Sequence, residues 1–164
     1  MEFIIDRLEN LNISDKEIFD LLSEVYVGAG FTTTKTAERV FNPTKVKDRG
    51  VLFASREKSK NEFCGMVIVV PPESKAVIRA KKDECEMHLL GVTPKYRGYG
   101  LGHKLVKTAI DFAQNSKWSK MILWTQKPMK EAQALYESFG FIQTEVMTNN
   151  GIEFLVYEKS FSKE

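Results

Sequence analysis

The sequence predicts a mixed α/β fold in one domain, a sheet layered with helices. Three observations carry this. Short apolar runs bounded by Gly, Pro and Asn alternate with amphipathic stretches along the chain. The run Glu84–Val92 is apolar on both faces (Met87, Leu89, Leu90, Val92), as a central strand covered on both sides must be. No composition shift or linker divides the 164 residues, a length that fits one domain.

The elements follow in order. Phe3–Leu8 reads as a strand. Ser14-Asp15-Lys16-Glu17 is a capping box, and Ile18, Leu21, Leu22 and Val25 follow at helical spacing until Gly28-Ala29-Gly30. Thr34 reads as the cap of a second helix running to about Phe41, closed by Pro43. Val51–Ser55 and Gly65–Val70 are strands, and Lys75–Ala80 reads as a further one. Glu84–Val92 is stopped by Pro94. Gly100–Lys117 is an amphipathic helix with Leu101, Leu105, Ala109, Phe112 and Ala113 on one face. Met121–Thr125 is a strand, and Met129–Phe139 a helix ended by Gly140. Phe141–Met147 and Ile152–Lys159 form a hairpin across Asn149-Asn150-Gly151.

Composition narrows the function classes. A net charge of +2 is too small for nucleic-acid binding, which needs a clustered basic face. No window approaches the 18 or so apolar residues of a membrane helix. The first residues are broken by charge too early for a secretory segment, and Cys64 and Cys85 belong to no CxxC pair. The expectation is a cytoplasmic protein without a metal site. Cys85 and His88 stand an odd number apart on a strand and point to opposite faces, which argues against a Cys–His nucleophile. The basic run Lys75, Arg79, Lys81 and Lys82 reads as a solvated strand face, or as a contact to a phosphate or an acidic acceptor.

The most informative stretch is Arg97-Gly98-Tyr99-Gly100-Leu101-Gly102-His103, between the buried strand and the long helix. First-turn amides of a helix have no internal partners, and the dipole there favours anions. Glycines let a pyrophosphate approach that backbone closely. Arg97 adds a forked donor, and Lys95 and Lys104 add charge. The dinucleotide fingerprint G-x-G-x-x-G fails because His103 takes its last place, and the G-K-[S/T] ending of a Walker loop is absent. The turn therefore cradles phosphates in another style.

Arg97-Gly98-Tyr99-Gly100-Leu101-Gly102 matches the [Q/R]-x-x-G-x-[G/A] signature of the GNAT superfamily of N-acetyltransferases. Glu86–Pro94 resembles that family's central strand and exit, and Ala132–Phe141 its A-x-x-x-Y-E-x-x-G-F segment. The clear resemblance spans about residues 50–145. It implies a mixed, mostly antiparallel sheet flanked by helices, acetyl-coenzyme A as donor, an amine of a small molecule or peptide as acceptor, and direct transfer in a ternary complex. It also implies that the pantetheine arm lies against Leu90, Gly91 and Val92, with the pyrophosphate on the amides of Gly98–His103. A homodimer is the family's suggestion. One departure is visible: many members carry Asn seven residues before the tyrosine, where this chain has Met129.

The chemistry needs a base and an acid. An alkylamine is less than about 0.1% neutral at pH 7, so a proton must leave before attack. Glu86 occupies the strand position where some members place that base. Residues 86, 88, 90 and 92 share a face if no bulge intervenes, so Glu86 or His88 could act, directly or through water. Tyr136 matches the family tyrosine that protonates the leaving thiolate, and an amide near Leu90 could stabilise the oxyanion. The resemblance implies that the first two helices and their loop wall the acceptor pocket, here with Tyr26, Phe31 and Thr32-Thr33-Thr34; the Asn149–Gly151 hairpin could form another wall. The competing readings are transfer of another acyl group, attack by a hydroxyl, and a non-catalytic acyl-coenzyme A binding module.

Overall fold

The computed structural model describes residues 1–162. Seven strands form one sheet: β1 (Phe3–Arg7), β2 (Val51–Glu57), β3 (Phe63–Val70), β4 (Glu84–Val92), β5 (Lys120–Gln126), β6 (Ile142–Asn149) and β7 (Ile152–Ser160). Their spatial order is β1-β2-β3-β4-β5-β7-β6. Every neighbouring pair is antiparallel except β4 and β5. The helices are α1 (Asp15–Tyr26), α2 (Thr34–Val40), α3 (Pro43–Asp48), α4 (Leu101–Asn115) and α5 (Lys130–Ser138). None of the described helices is long and apolar enough to cross a membrane.

Both faces of the central strands are buried, which explains why they lack polar alternation. Val67, Val69, Cys85 and Met87 face α4, meeting Leu105, Val106 and Ala109. Met66, Ile68 and Val70 face the other way, onto Ile18 and Leu22 of α1 and Val46 of α3. The capping box forms as the sequence predicts: Ser14 Oγ accepts from the Glu17 amide at 3.1 Å, and the Glu17 carboxylate accepts from the Ser14 amide at 3.0 Å.

Four sequence expectations are corrected. Thr34 is the first residue of α2 and not its cap: Thr33 Oγ1 accepts from the Thr36 amide at 3.2 Å. Pro43 does not close a helix but opens α3, where it occupies the first turn and Asn42 Oδ1 accepts from the Lys45 amide at 3.2 Å. A proline costs nothing at a first turn, where its missing N–H would be unpaired anyway. The segment 75–80 is not a strand. Its amides at Ile78, Arg79 and Ala80 all donate to the Glu86 carboxylate, at 2.6–3.1 Å, instead of to a neighbouring strand. Finally, β4 carries a bulge. Ile68 pairs with His88 and Met66 with Gly91, so Leu89 and Leu90 together stand opposite Val67. Leu89 takes a left-handed φ of 51° to allow it.

The bulge reverses the side-chain alternation along β4, so residues 86, 88, 90 and 92 do not share a face. Cys85, Met87, Leu90 and Val92 belong to the α4 side. Glu86 and His88 lie on the α1 side, and a Cβ built on Gly91 would meet Leu21 and Val25 of α1 at 3.4 Å. Strands β4 and β5 also part company. They pair only over Glu84–Glu86 and Lys120–Ile122, although both run on for several residues. The wedge they leave is where the functional site lies.

Candidate functional site

The wedge opens into a cleft of about 1200 Å³. One end is floored by Leu90–Val92 and roofed by Gly98, Gly100–His103 and the start of α5; the other is walled by Tyr26, Phe31, Arg49, His88 and the β6–β7 turn.

The glycine turn forms the first end. Gly98 and Gly100 hold φ values of 85° and 79°, a left-handed geometry that a side chain resists. Gly100 is the N-cap of α4, with open space where a Cβ would stand. Among the described residues, none of the backbone N–H groups from Gly98 to His103 donates to a protein acceptor. Six consecutive free donors at a helix N-terminus form an anion cradle. Arg97 is steadied over it by its Nε, which donates to the Val92 carbonyl at 3.1 Å. The His103 ring stacks on Phe139, with centroids 4.5 Å apart. Tyr99 turns its ring away against Phe3, so it can offer the cleft only its amide.

Tyr136 lines the cleft from α5 and is 7% exposed. Burial, reinforced by the nearby Tyr26, pushes its hydroxyl far above the ordinary value, so it stays protonated at neutral pH. Met129 caps α5 without a side-chain hydrogen bond. Gln133 secures the preceding loop instead, donating to the Lys127 carbonyl at 2.9 Å and the Gln126 carbonyl at 3.2 Å.

At the other end the two base candidates are joined. His88 Nε2 and Glu86 Oε1 are 2.8 Å apart. Glu86 is fully buried and does not line the cleft; His88 does. Burial alone would raise the Glu86 carboxyl, but hydrogen bonds from His88 and from the amides of Arg79 and Ala80 overcome this and hold it below the usual range. It is therefore an anion, accepting from Nε2–H. His88 itself is held below its ordinary value, first by burial and then by Arg49, against the raising effect of Glu86. The imidazole is thus neutral, and its Nδ1 faces the Arg49 guanidinium at 3.2 Å. On the same side the Tyr26 hydroxyl donates to the Leu90 carbonyl at 2.8 Å, tying the end of α1 to the bulge.

Sequence reasoning missed Arg49 and the role of Tyr26. Arg49 sits between α3 and β2 and meets a residue 39 positions away, so no local pattern marks it. Of the basic run at 75–82, Arg79 is paired with Glu145 of β6 and lends its amide to Glu86. Cys85 lies in the core, where burial pushes its thiol up to about 12, which suits no nucleophile.

The sequence model of the Acetyltransferase (GNAT) family matches residues 16–141. An uncharacterised N-acetyltransferase of Schizosaccharomyces pombe is 30% identical over 148 residues, covering 87% of this chain and 86% of that protein. Human N-acetyltransferase 8 is 32% identical over 99 residues, which is 60% of this chain but only 42% of that protein. Among solved structures, an acetyltransferase from Streptococcus agalactiae superposes with a TM-score of 0.75 at 21% identity, covering 97% of this chain and 98% of that one. A Bacillus subtilis acetyltransferase in complex with CoA gives 0.71 at 16% identity, over 98% and 100%. The splayed strands, the free amides at Gly98–His103 and the match across three quarters of its length place this chain in the acetyltransferase (GNAT) family.

Proposed function

We propose that the protein moves an acetyl group from acetyl-coenzyme A to a primary amine by direct attack in a ternary complex. The observation that carries this reading is the shared cleft. It joins six free amides, suited to a pyrophosphate, to a protonated tyrosine and a neutral histidine.

The donor lies with its pyrophosphate on Gly98–His103 and Arg97, and its pantetheine arm along Leu90–Val92. The acceptor approaches past Tyr26 and His88. His88 takes the amine proton, directly or through water, while buried Glu86 stabilises the imidazolium that forms. Glu86 thus acts through His88 as a positioning residue. The nitrogen attacks the thioester carbon, the C–N bond forms, the C–S bond breaks, and Tyr136 gives its proton to the departing sulfur. A main-chain amide near Leu90 steadies the oxyanion on the way. The nitrogen sheds its second proton as the amide forms, restoring the Tyr136 hydroxyl directly or through water, and His88 releases the first proton to solvent.

The test is calorimetric titration with acetyl-coenzyme A of the native protein and of Gly100→Glu, followed by assay of amine-dependent thiol release. Micromolar binding that the substitution abolishes, with thiol release, supports the reading. Tight binding with no thiol release from any amine would leave an acyl-coenzyme A binding module.

A further inference from the structure

Arg49 lines the acceptor end of the cleft and is withdrawn from much of the solvent, yet no carboxylate lies within 4.0 Å of it among the described residues. Its side chain has two partners. Nη1 faces His88 Nδ1 at 3.2 Å, and Nη2 donates to the Val40 carbonyl at a long 3.4 Å. A guanidinium carries five N–H donors in a planar fork, so most of its capacity is unused. Taking such a cation out of water without an anion is costly, and burial accordingly pushes its pKa down. The two other arginines drawn in from the surface have found acids: Arg56 pairs with Glu17, and Arg79 with Glu145. Arg39, exposed at the mouth of the same end, adds a second positive charge.

Resting on the acetyltransferase reading above, we infer that Arg49 binds a carboxylate of the acceptor, and that the acceptor is a small amino acid with a free carboxyl group. The position of Arg49 is specific. Its guanidinium touches the imidazole that takes the amine proton, so the anion and the reacting nitrogen must lie within one small molecule, as in an α-amino acid. A peptide N-terminus, whose nearest main-chain carbonyl is an amide, offers Arg49 no such charge. The fork matches a carboxylate with two parallel hydrogen bonds. A carboxylate arriving there also competes with His88 Nδ1 for Nη1, which frees that nitrogen to accept the amine proton. Tyr26, Phe31, Trp124 and Phe154 wall the same end and suit an apolar side chain.

The experiment compares phenylalanine, leucine and alanine with their carboxamides, on native protein and on Arg49→Gln. Thiol release with acetyl-coenzyme A gives kcat/KM. Calorimetry of CoA-loaded protein with N-acetylphenylalanine and N-acetylphenylalaninamide gives affinity without turnover. The expected result is a preference for the free acids of about 10- to 150-fold, the range that hydrogen bonds to charged groups support. Arg49→Gln brings that ratio close to one, and Arg49→Lys keeps part of it. Equal use of acids and amides by the native protein, or a preference that survives Arg49→Gln, overturns the assignment and points to a peptide or simple amine. If no amine releases thiol, the acetyltransferase reading has failed, and the calorimetric arm alone decides whether Arg49 binds a carboxylate.

Discussion

The two ends of the cleft are built from different materials. The end proposed to take the donor is backbone: six amides with no protein acceptor among the described residues, opened by Gly98 and Gly100 in left-handed geometry. The acceptor end is side chains: Tyr26 from α1, Arg49 from a loop, and His88 with Glu86 from β4, tied by contacts between residues far apart in sequence. Under the proposed function, the backbone site recognises a feature that every reaction shares, the pyrophosphate, and its residue types are constrained only where a Cβ would intrude or strain. A side-chain site can be rebuilt by changing one residue, which is how one fold serves many acceptors.

The largest expected effect breaks the donor end. Gly100→Glu forces a side chain into αL geometry and sets a negative charge where phosphates belong. Acetyl-coenzyme A binding should fall below detection by calorimetry, while the folded chain keeps its thermal transition within a few degrees. Binding within a few-fold of the native protein would mean the amides at Gly98–His103 are not the phosphate site.

Next comes Tyr136→Phe, where the two ends meet. General acid catalysis contributes about 10²- to 10⁴-fold, so kcat should fall within that range while acetyl-coenzyme A affinity stays within about twofold. The split between rate and affinity is the informative reading. A loss of affinity alone would make Tyr136 a wall of the cleft and nothing more.

The difference in materials also explains what the sequence revealed. The donor end was legible because glycines punctuate a single turn between a buried strand and an amphipathic helix, all within seven residues. Tyr136 was legible as part of a local segment on one helix. At the acceptor end the walls at Tyr26, Phe31 and the β6–β7 turn were legible, but the arrangement of the polar groups was not, for two physical reasons. The bulge at Leu89 depends on a pairing with β3 that no local pattern encodes, and it reverses which side chains share a face. The segment 75–80 has the alternation of a strand, but its amides are captured by the Glu86 carboxylate, a partner that periodicity cannot see. The same capture hid Glu86 from the cleft. Pro43 misled for a smaller reason: a proline ends one helix and begins another with equal ease, and Asn42 just before it was the cap that decides.

A third prediction sharpens the acceptor end. Glu86→Gln keeps an acceptor for the amides of residues 78–80 but removes the charge beside His88. In the native protein Glu86 raises the His88 pKa, while burial and Arg49 lower it below its ordinary value. Removing the raising influence must lower it further. The acid limb of the kcat/KM profile, which follows protonation of the imidazole, should therefore move to lower pH. The plateau should fall by about tenfold, since a weaker base takes the proton less readily. An unmoved limb would assign Glu86 to anchoring the loop at 78–80, with no influence on the proton.

The smallest expected effect asks whether the acceptor end depends on its helix or on its own contacts. Tyr26 is the last residue of α1, and the capping box closes the other end of that helix, three turns away. Ser14→Ala removes one exposed cap hydrogen bond and should cost about 0.5–1 kcal/mol. In a chain of this length that is a fall in Tm of about 1–4 °C. Four buried residues of α1, Ile18, Leu21, Leu22 and Val25, hold the helix against β3 and β4, and the Glu17 carboxylate remains tied to Arg56 Nη1 at 3.0 Å. Fraying at Asp15 therefore has no route to Tyr26, whose hydroxyl is fixed separately on the Leu90 carbonyl. The acceptor KM should not change although the Tm does. A KM that rises with the loss of the cap would show that the acceptor end takes its order from the whole of α1, and the contrast with the backbone-built donor end would then be one of rigidity as well as of material.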